Sequence, residues 1–137
     1  MRKLALLLGV AVLAFAGVAY AANPMMIGAK LDPMQDHATG SHGKGTFTGD
    51  ISHGKLKFTL KFSGLTGPAT AAHIHMGSVG KAGPVVVPLC GPCTSPVSKT
   101  VSVSASVVKA IEKGAAYVNV HTAKFPNGEI RGQLHKG

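Results

Sequence analysis

Two histidines separated by one residue are the clearest chemical feature of this sequence. His73 and His75 alternate with Ile74 and Met76 in the stretch 71–77. Side chains alternate between the faces of a strand, so both imidazoles would lie on one face, with Cα atoms roughly 6.5 to 7 Å apart. Two imidazoles at this spacing can bind one metal ion. The same spacing also suits histidines that only form hydrogen bonds between strands.

A third histidine, His121, lies on a second predicted strand, in which Val118 and Val120 are the apolar positions. If these valines face the core, His121 lies on the outer face, as His73 and His75 do. The three side chains converge if the two strands are neighbours or if their ends meet. We therefore predict a copper or zinc site in which His73, His75 and His121 are neutral ligands.

A hydrogen-bonded network without any ligand is the alternative for this outer face. Its further members follow from the same alternation: Tyr117, Asn119, Glu129 and Arg131. Such a network would hold adjacent strands in register. Within it, we expect Glu129 and Arg131 to form a cross-strand ion pair rather than a catalytic pair.

The carboxylates form no recognisable catalytic group. They are scattered along the chain: Asp32, Asp36, Asp50, Glu112 and Glu129. An enzyme needs an acid/base pair or an activated nucleophile. We therefore expect no enzymatic activity.

The cysteines occur as Cys90-Gly91-Pro92-Cys93, a spacing shared with thioredoxin-type redox motifs. Such motifs need a helix that begins at the first cysteine and lowers its pKa. The following Thr94-Ser95-Pro96 is a poor helix body, and Thr94 replaces the histidine that attachment of c-type haem requires. A structural disulfide between Cys90 and Cys93 is the expected arrangement in an exported protein.

The N-terminus has the features of a signal peptide over residues 1–21. Arg2 and Lys3 precede an apolar run from Leu4 to Val18, and Ala19-Tyr20-Ala21 supplies the small residues of a cleavage site. We expect a secreted or periplasmic protein with no transmembrane segment after cleavage. Residues 22–40 contain two prolines and no sustained period, which predicts a flexible lead-in.

This lead-in offers a second set of soft copper ligands. They are methionines and histidines near the N-terminus of the mature chain: Met25, Met26, Met34, His37 and His42. We regard them as the alternative to the histidines of the strands.

The chain is basic, with a formal net charge of +9 that falls to about +7 when Arg2 and Lys3 are removed. The lysines occur singly among apolar residues, which is typical of a solvated face. Attraction to an anionic envelope polymer is expected at this charge; the partner is otherwise an unknown protein. Aromatic residues make up only 5% of the chain, which argues against a nucleic-acid partner.

The pattern of the chain favours an antiparallel all-β domain over residues 41–137. Leu56, Phe58, Leu60 and Phe62 alternate with lysine, threonine and serine, as in a strand buried on one face. Residues 104–114 change to a helical period, with a serine at the start and Gly114 at the end. We predict a single domain with one short helix, and a monomer.

Several motifs together resemble the CHRD domain family, which is named for its occurrence in chordin and is common in exported bacterial proteins. The matching motifs are Ala72-His73-Ile74-His75-Met76-Gly77, the segment 83–89, Gly114 to Thr122, and Phe125 to Leu134. The resemblance implies a Greek-key-like antiparallel sandwich or barrel of immunoglobulin-like or superoxide-dismutase-like type.

The resemblance implies no reaction, because the family has no generally established one. Weighing the function classes, we expect an exported binding module of unknown ligand, presenting a sheet face that bears histidine, asparagine and arginine. Binding of copper or zinc by His73, His75 and His121 is the alternative function.

Overall fold

Residues 22–137 form a two-sheet β-sandwich with one short helix. The structure is a computed structural model that describes residue 17 and residues 22–137. Its elements are β1 (Met25–Leu31), β2 (Lys44–Ser52), β3 (Lys55–Ser63), β4 (Ala69–Met76), β5 (Val85–Cys90), β6 (Val97–Ser102), α1 (Ala105–Glu112), β7 (Ala116–Thr122), β8 (Ile130–Gln133) and β9 (His135–Lys136). The predicted all-β class is confirmed.

Every pairing between named strands is antiparallel. One sheet has the order β6-β3-β2-β1-β9, and we call it the first sheet. The other has the order β5-β4-β7-β8, and we call it the second sheet. The strand order of the second sheet thus places β4 and β7 side by side, although 39 residues separate their nearer ends in the sequence.

The hairpin of β2 and β3 shows how the sequence pattern becomes structure. Leu56, Phe58 and Leu60 are buried while Lys57 is exposed, so the predicted alternation is confirmed. His53 and Gly54 connect the strands with φ values of 50° and 71°. Positive φ at both central residues is typical of the two-residue turns that match the twist of a hairpin.

The core lies between the two sheets. Phe47 and Phe58 stack within it, with ring centroids 5.4 Å apart. The second sheet contributes Ile74, Val118 and Val120, which are fully buried. The outer face of this sheet therefore carries the residues that alternate with these buried positions, including all three candidate histidines.

The expectation of a flexible lead-in over residues 22–40 is wrong, because Met25–Leu31 forms strand β1. This strand pairs with β2 along its whole length, and Ile27, Ala29 and Leu31 enter the core. Small residues weaken the local strand signal here, and the partner that stabilises β1 lies further along the chain. The predicted domain start at residue 41 consequently falls too late.

The helix and the disulfide are as predicted. The side chain of Ser104 accepts a hydrogen bond from the backbone N–H of Val107, capping α1. Gly114 follows the helix with φ +68°, a conformation that favours glycine. Cys90 and Cys93 form a disulfide with Cα atoms 5.4 Å apart.

The predicted signal peptide, residues 1–21, lies outside the described residues apart from Gly17. Within the part of the chain that the structure describes, no helix has the length and apolar character needed to cross a membrane.

Candidate metal centre

Strands β4 and β7 bring the three predicted histidines to one place on the second sheet. His73 and His75 face outward from β4, and His121 faces outward from β7. The register pairs His73 with Asn119, His75 with Tyr117, and Ala71 with His121. His121 is two residues along β7 from Asn119, the partner of His73, so it lies diagonally opposite His73. Side chains in such diagonal positions are within reach of one another across a strand pair.

The imidazoles are close enough to share one ion. One ring nitrogen from each of His73, His75 and His121 lies within 4.8 Å of the other two. Nδ1 of His73 and Nε2 of His121 are 3.1 Å apart. The predicted convergence of the three histidines is thus present in the structure.

Two backbone carbonyls orient the rings. Nδ1 of His75 lies 2.9 Å from the carbonyl oxygen of Gly83, and Nδ1 of His121 lies 3.0 Å from that of Pro126. A carbonyl oxygen only accepts, so both Nδ1 atoms carry the proton and both Nε2 atoms keep a lone pair. Fixing one ring nitrogen in this way is the common arrangement behind metal-binding histidines.

One of these lone pairs has no partner. Nε2 of His75 is buried and forms no hydrogen bond with the described residues. A buried polar atom without a partner costs free energy. The lone pair of this nitrogen is therefore suited to bind a cation.

The electrostatic surroundings favour neutral imidazoles. Burial lowers the pKa of His73 below its usual value, and the neighbouring His75 lowers it further. Burial also lowers the pKa of His121, and His73 and His75 add to this effect, while the hydrogen bond to Pro126 opposes it. Neutral imidazole is the form that binds metals, so both shifts favour binding.

The ring of Tyr117 supports His75 from the side. The two rings stack with centroids 4.9 Å apart and planes 8° apart. The guanidinium carbon of Arg131 lies 3.4 Å from the centroid of the same tyrosine ring, and the phenol oxygen accepts a hydrogen bond from the N–H of Gly83. These contacts hold the His75 ring in place beside the loop that orients it.

Two segments cover the rest of this face. Asp36, in the segment 32–43, accepts a hydrogen bond from the amide nitrogen of Asn119 at 2.6 Å. Arg131 donates to the carbonyl oxygen of Ser78, in the segment 77–84. Asn119 and Arg131 are 1% and 3% exposed, so the expectation that they are presented on an open sheet face is wrong.

The half-buried Asp36 has a raised pKa. Burial is the largest cause, and it outweighs the opposing effects of Arg131, the hydrogen bond from Asn119, and the nearby His75 and His37. The pKa of Arg131 is lowered by burial, against the opposing effects of Tyr117 and Asp36.

Glu129 forms a separate cluster, and the expected ion pair with Arg131 is absent from the described contacts. The fully buried carboxylate accepts hydrogen bonds from the hydroxyls of Ser41, Thr66 and Thr122 and from the N–H of Thr66. Burial raises its pKa, but these hydrogen bonds together lower it below the usual value. Glu129 therefore ties loops to β7, whereas Arg131 supports the histidines through Tyr117.

A family model described as the CHRD domain matches residues 27–134. The chain belongs to the CHRD domain family. No curated protein and no solved structure matches it. Membership supports a binding module at the level of the family and names no ligand.

The carbonyls that orient the histidines of this CHRD domain were not found by sequence reasoning. Pro126 carries no signal of its role, because its backbone oxygen makes the contact. Gly83 does carry a signal, because its residue type is required at this position. A Cβ at this position would collide with the carbonyl group of Met76, so glycine allows the loop to approach the end of β4.

The alternative ligands near the N-terminus do not form a comparable group in the CHRD domain. Met25 and Met26 point to opposite faces of β1, and Met34 is 79% exposed. His37 and His42 are exposed, and in residues 22–137 they join no group of three or more histidine, cysteine or acidic side chains.

Proposed function

We propose that this CHRD domain binds one copper or zinc ion through His73, His75 and His121. The observation that carries the proposal is the set of three ring nitrogens within 4.8 Å of one another. Two of the rings are already oriented by carbonyl oxygens. A site ordered by the fold loses less freedom on binding than one formed by a flexible segment.

The ligand set favours these metals over calcium or magnesium. Imidazole nitrogens suit copper and zinc, whereas calcium and magnesium prefer oxygen ligands. Three neutral ligands leave the charge of the ion uncompensated and one tetrahedral position open for water or an anion. Cu(II) is expected to bind more tightly than Zn(II), following the usual order of affinities.

A metal titration tests the proposal. The mature chain, without a purification tag and stripped with chelator, would be titrated with Cu(II) and Zn(II) at pH 7.5 and weighed by native mass spectrometry. We expect one ion per chain. His75→Ala and His121→Ala should each weaken binding by at least about 10-fold, because each removes one of three ligands and the loss of a ligand's hydrogen-bond partner alone typically costs about 10- to 100-fold.

His135→Ala is the matched control, because His135 is exposed on β9 of the first sheet. It should leave uptake unchanged, and thermal unfolding of each variant would show that the fold is retained. Stoichiometric uptake that survives loss of both His75 and His121 would place the site elsewhere. No uptake by the wild type would leave a binding module for another ligand as the function.

We also propose that the protein works outside the cytoplasm, in the periplasm or after secretion. The signal-peptide pattern of residues 1–21 supports this proposal, and the Cys90–Cys93 disulfide is compatible with it. N-terminal sequencing of the protein from the cell envelope and the medium would test it. A mature chain that begins at Ala22 is expected, and an intact N-terminus in the cytoplasm would contradict it.

A further inference from the structure

The outer face of the first sheet is strongly basic. Its lysines are exposed and lie on β1, β2 and β3: Lys30, Lys44, Lys55, Lys57 and Lys61. Lys30 and Lys61 both pair with Thr46, so they flank one threonine across three strands. Because neighbouring strands are about 4.8 Å apart, the Cα atoms of these lysines are separated by about 10 Å.

Hydroxyl side chains fill the positions between the lysines. They lie on β2, β3 and β6: Thr46, Thr48, Thr59, Ser98 and Thr100. The register places Thr48, Thr59 and Ser98 in one row across the sheet, and the hydroxyls of Thr59 and Ser98 are 2.9 Å apart. A shallow depression of about 240 Å³ lies over this row, bordered by Lys57 and Lys99.

Other kinds of side chain are scarce on this face. Among the described residues, Asp50 is its acidic group, and it pairs with Lys57 in the register. Phe47 and Phe58 are buried in the core, and Phe62, on the same side of β3 as Phe58, is half-buried against it, so among the described residues no phenylalanine or tyrosine ring projects from this face to stack on a base. Met26, 56% exposed, is the large apolar side chain that reaches solvent on this face.

We propose that this basic face binds an acidic polysaccharide. Lysine ammonium groups attract its carboxylates or sulfates, and the threonine and serine hydroxyls match the hydrogen-bonding groups of sugars. Single-stranded nucleic acid fits less well, because its binding relies on aromatic stacking. A membrane fits less well too, because binding to one usually adds buried apolar side chains to the charges.

This site is independent of the proposed metal centre. The lysines lie on the outer face of the first sheet, whereas the histidines lie on the outer face of the second sheet. The core separates the two faces. Loss of polysaccharide binding should therefore leave metal uptake unchanged, and loss of the histidines should leave polysaccharide binding unchanged.

Binding of the mature protein to polyuronate and to dextran sulfate tests the proposal, with neutral dextran as the negative control. We expect binding to both charged polymers, weakening steeply between low and physiological salt because exposed charges are screened. The triple variant Lys55→Gln, Lys57→Gln, Lys61→Gln should weaken binding by about 10-fold or more, since it removes the charges of one strand on this face.

The matched control is Lys109→Gln, Lys113→Gln, Lys124→Gln, which removes the same charge from exposed positions away from this face. It should weaken binding by less than about 3-fold. Equal losses in the two triple variants would show attraction to net charge alone and overturn the proposal. So would binding to vesicles of anionic phospholipid without binding to either polymer, or no binding to any probe. Unchanged thermal unfolding would show that each variant is folded.

Discussion

Nδ1 of His73 lies 3.1 Å from Nε2 of His121. Because the carbonyl of Pro126 fixes the proton of His121 on Nδ1, Nε2 of His121 is the acceptor and Nδ1 of His73 is the donor. The proton on His73 thus occupies the direction from which this ring nitrogen would bind an ion. If Nδ1, the nitrogen that faces Nε2 of His121, is the ligand atom of His73, metal binding must move that proton.

A change of tautomer at His73 is therefore expected on metal binding. In the metal-free protein at pH 7.5, all three histidines should carry the proton on Nδ1. On addition of Zn(II), His73 should change to the Nε2–H form, while His75 and His121 keep theirs. Long-range proton–nitrogen NMR spectra report these forms directly, and an unchanged His73 would contradict the assignment of Nδ1 as its ligand atom.

Metal affinity should fall as the pH is lowered from 7.5 to 5.5, by on the order of 10- to 100-fold, because protonated imidazole cannot bind the ion. The pKa values of His73 and His121 lie below the usual 6.5. The loss should therefore occur at a lower pH than in an unfolded chain. Competition titrations at pH 7.5, 6.5 and 5.5 would measure the loss, and an affinity that does not fall even below the folded-state pKa values of the histidines would contradict histidine ligands.

Glu129→Gln should lower the free energy of unfolding by about 1 to 3 kcal/mol, because the hydrogen-bond donors of Ser41, Thr66 and Thr122 lose a fully buried, charged acceptor. The folded-state pKa of Glu129 lies below its usual value of 4.5. Its contribution is thus complete above pH 4.5 and is lost as the pH falls through the lower folded value.

Denaturant unfolding between pH 3 and pH 7 tests this effect. The difference between wild type and Glu129→Gln should shrink at the acidic end. Glu112→Gln is the control, since Glu112 is exposed on α1. Equal effects of the two substitutions would mean that the buried cluster contributes nothing particular to stability.

Phe58→Ala should destabilise the protein by about 3 to 5 kcal/mol, because it removes a buried ring that stacks on Phe47. The adjacent Lys57→Ala should change stability by no more than about 0.5 kcal/mol, since Lys57 is exposed. Chemical denaturation measures both. Comparable losses would contradict the assignment of the two faces of β3.

Replacing Cys90 and Cys93 together by serine should cost less than about 2 kcal/mol, because the disulfide closes a short loop and so restricts the unfolded chain little. Urea unfolding of the double variant would measure the cost. An insulin-reduction assay should detect no turnover by the wild type; turnover there would favour a redox role.

Features coded by neighbouring residues could be predicted from the sequence. The alternation through Leu56, Phe58 and Leu60 identified β3 and its buried face, and Ser104 with Gly114 marked the limits of the helix. Each of these signals acts within a few residues. Strand β1 was not predicted, because what stabilises its seven residues is pairing with β2, which lies further along the chain.

The three histidines of the candidate site could be predicted from the sequence, but their surroundings could not. Alternation placed His73, His75 and His121 on outer faces, yet their convergence depended on β4 and β7 being neighbours, which is a property of the whole fold. Two of the partners of Glu129, Ser41 and Thr66, are loop residues distant in the chain. Sequence periodicity carries no information about such contacts, so the expected pair with Arg131 was wrong.

The carbonyl contacts of His75 and His121 limit which sequence changes this site would tolerate in evolution. Every residue type supplies a main-chain oxygen, so Pro126 can be exchanged without removing the acceptor that orients His121. Loop length has no such freedom, because a deletion between Asn119 and Ile130 shifts the oxygen itself. Among descendants of this chain, the length of the loop between Asn119 and Ile130 should therefore persist after Pro126 has been exchanged, whereas Gly83 should be retained, because a Cβ there would collide with the carbonyl group of Met76.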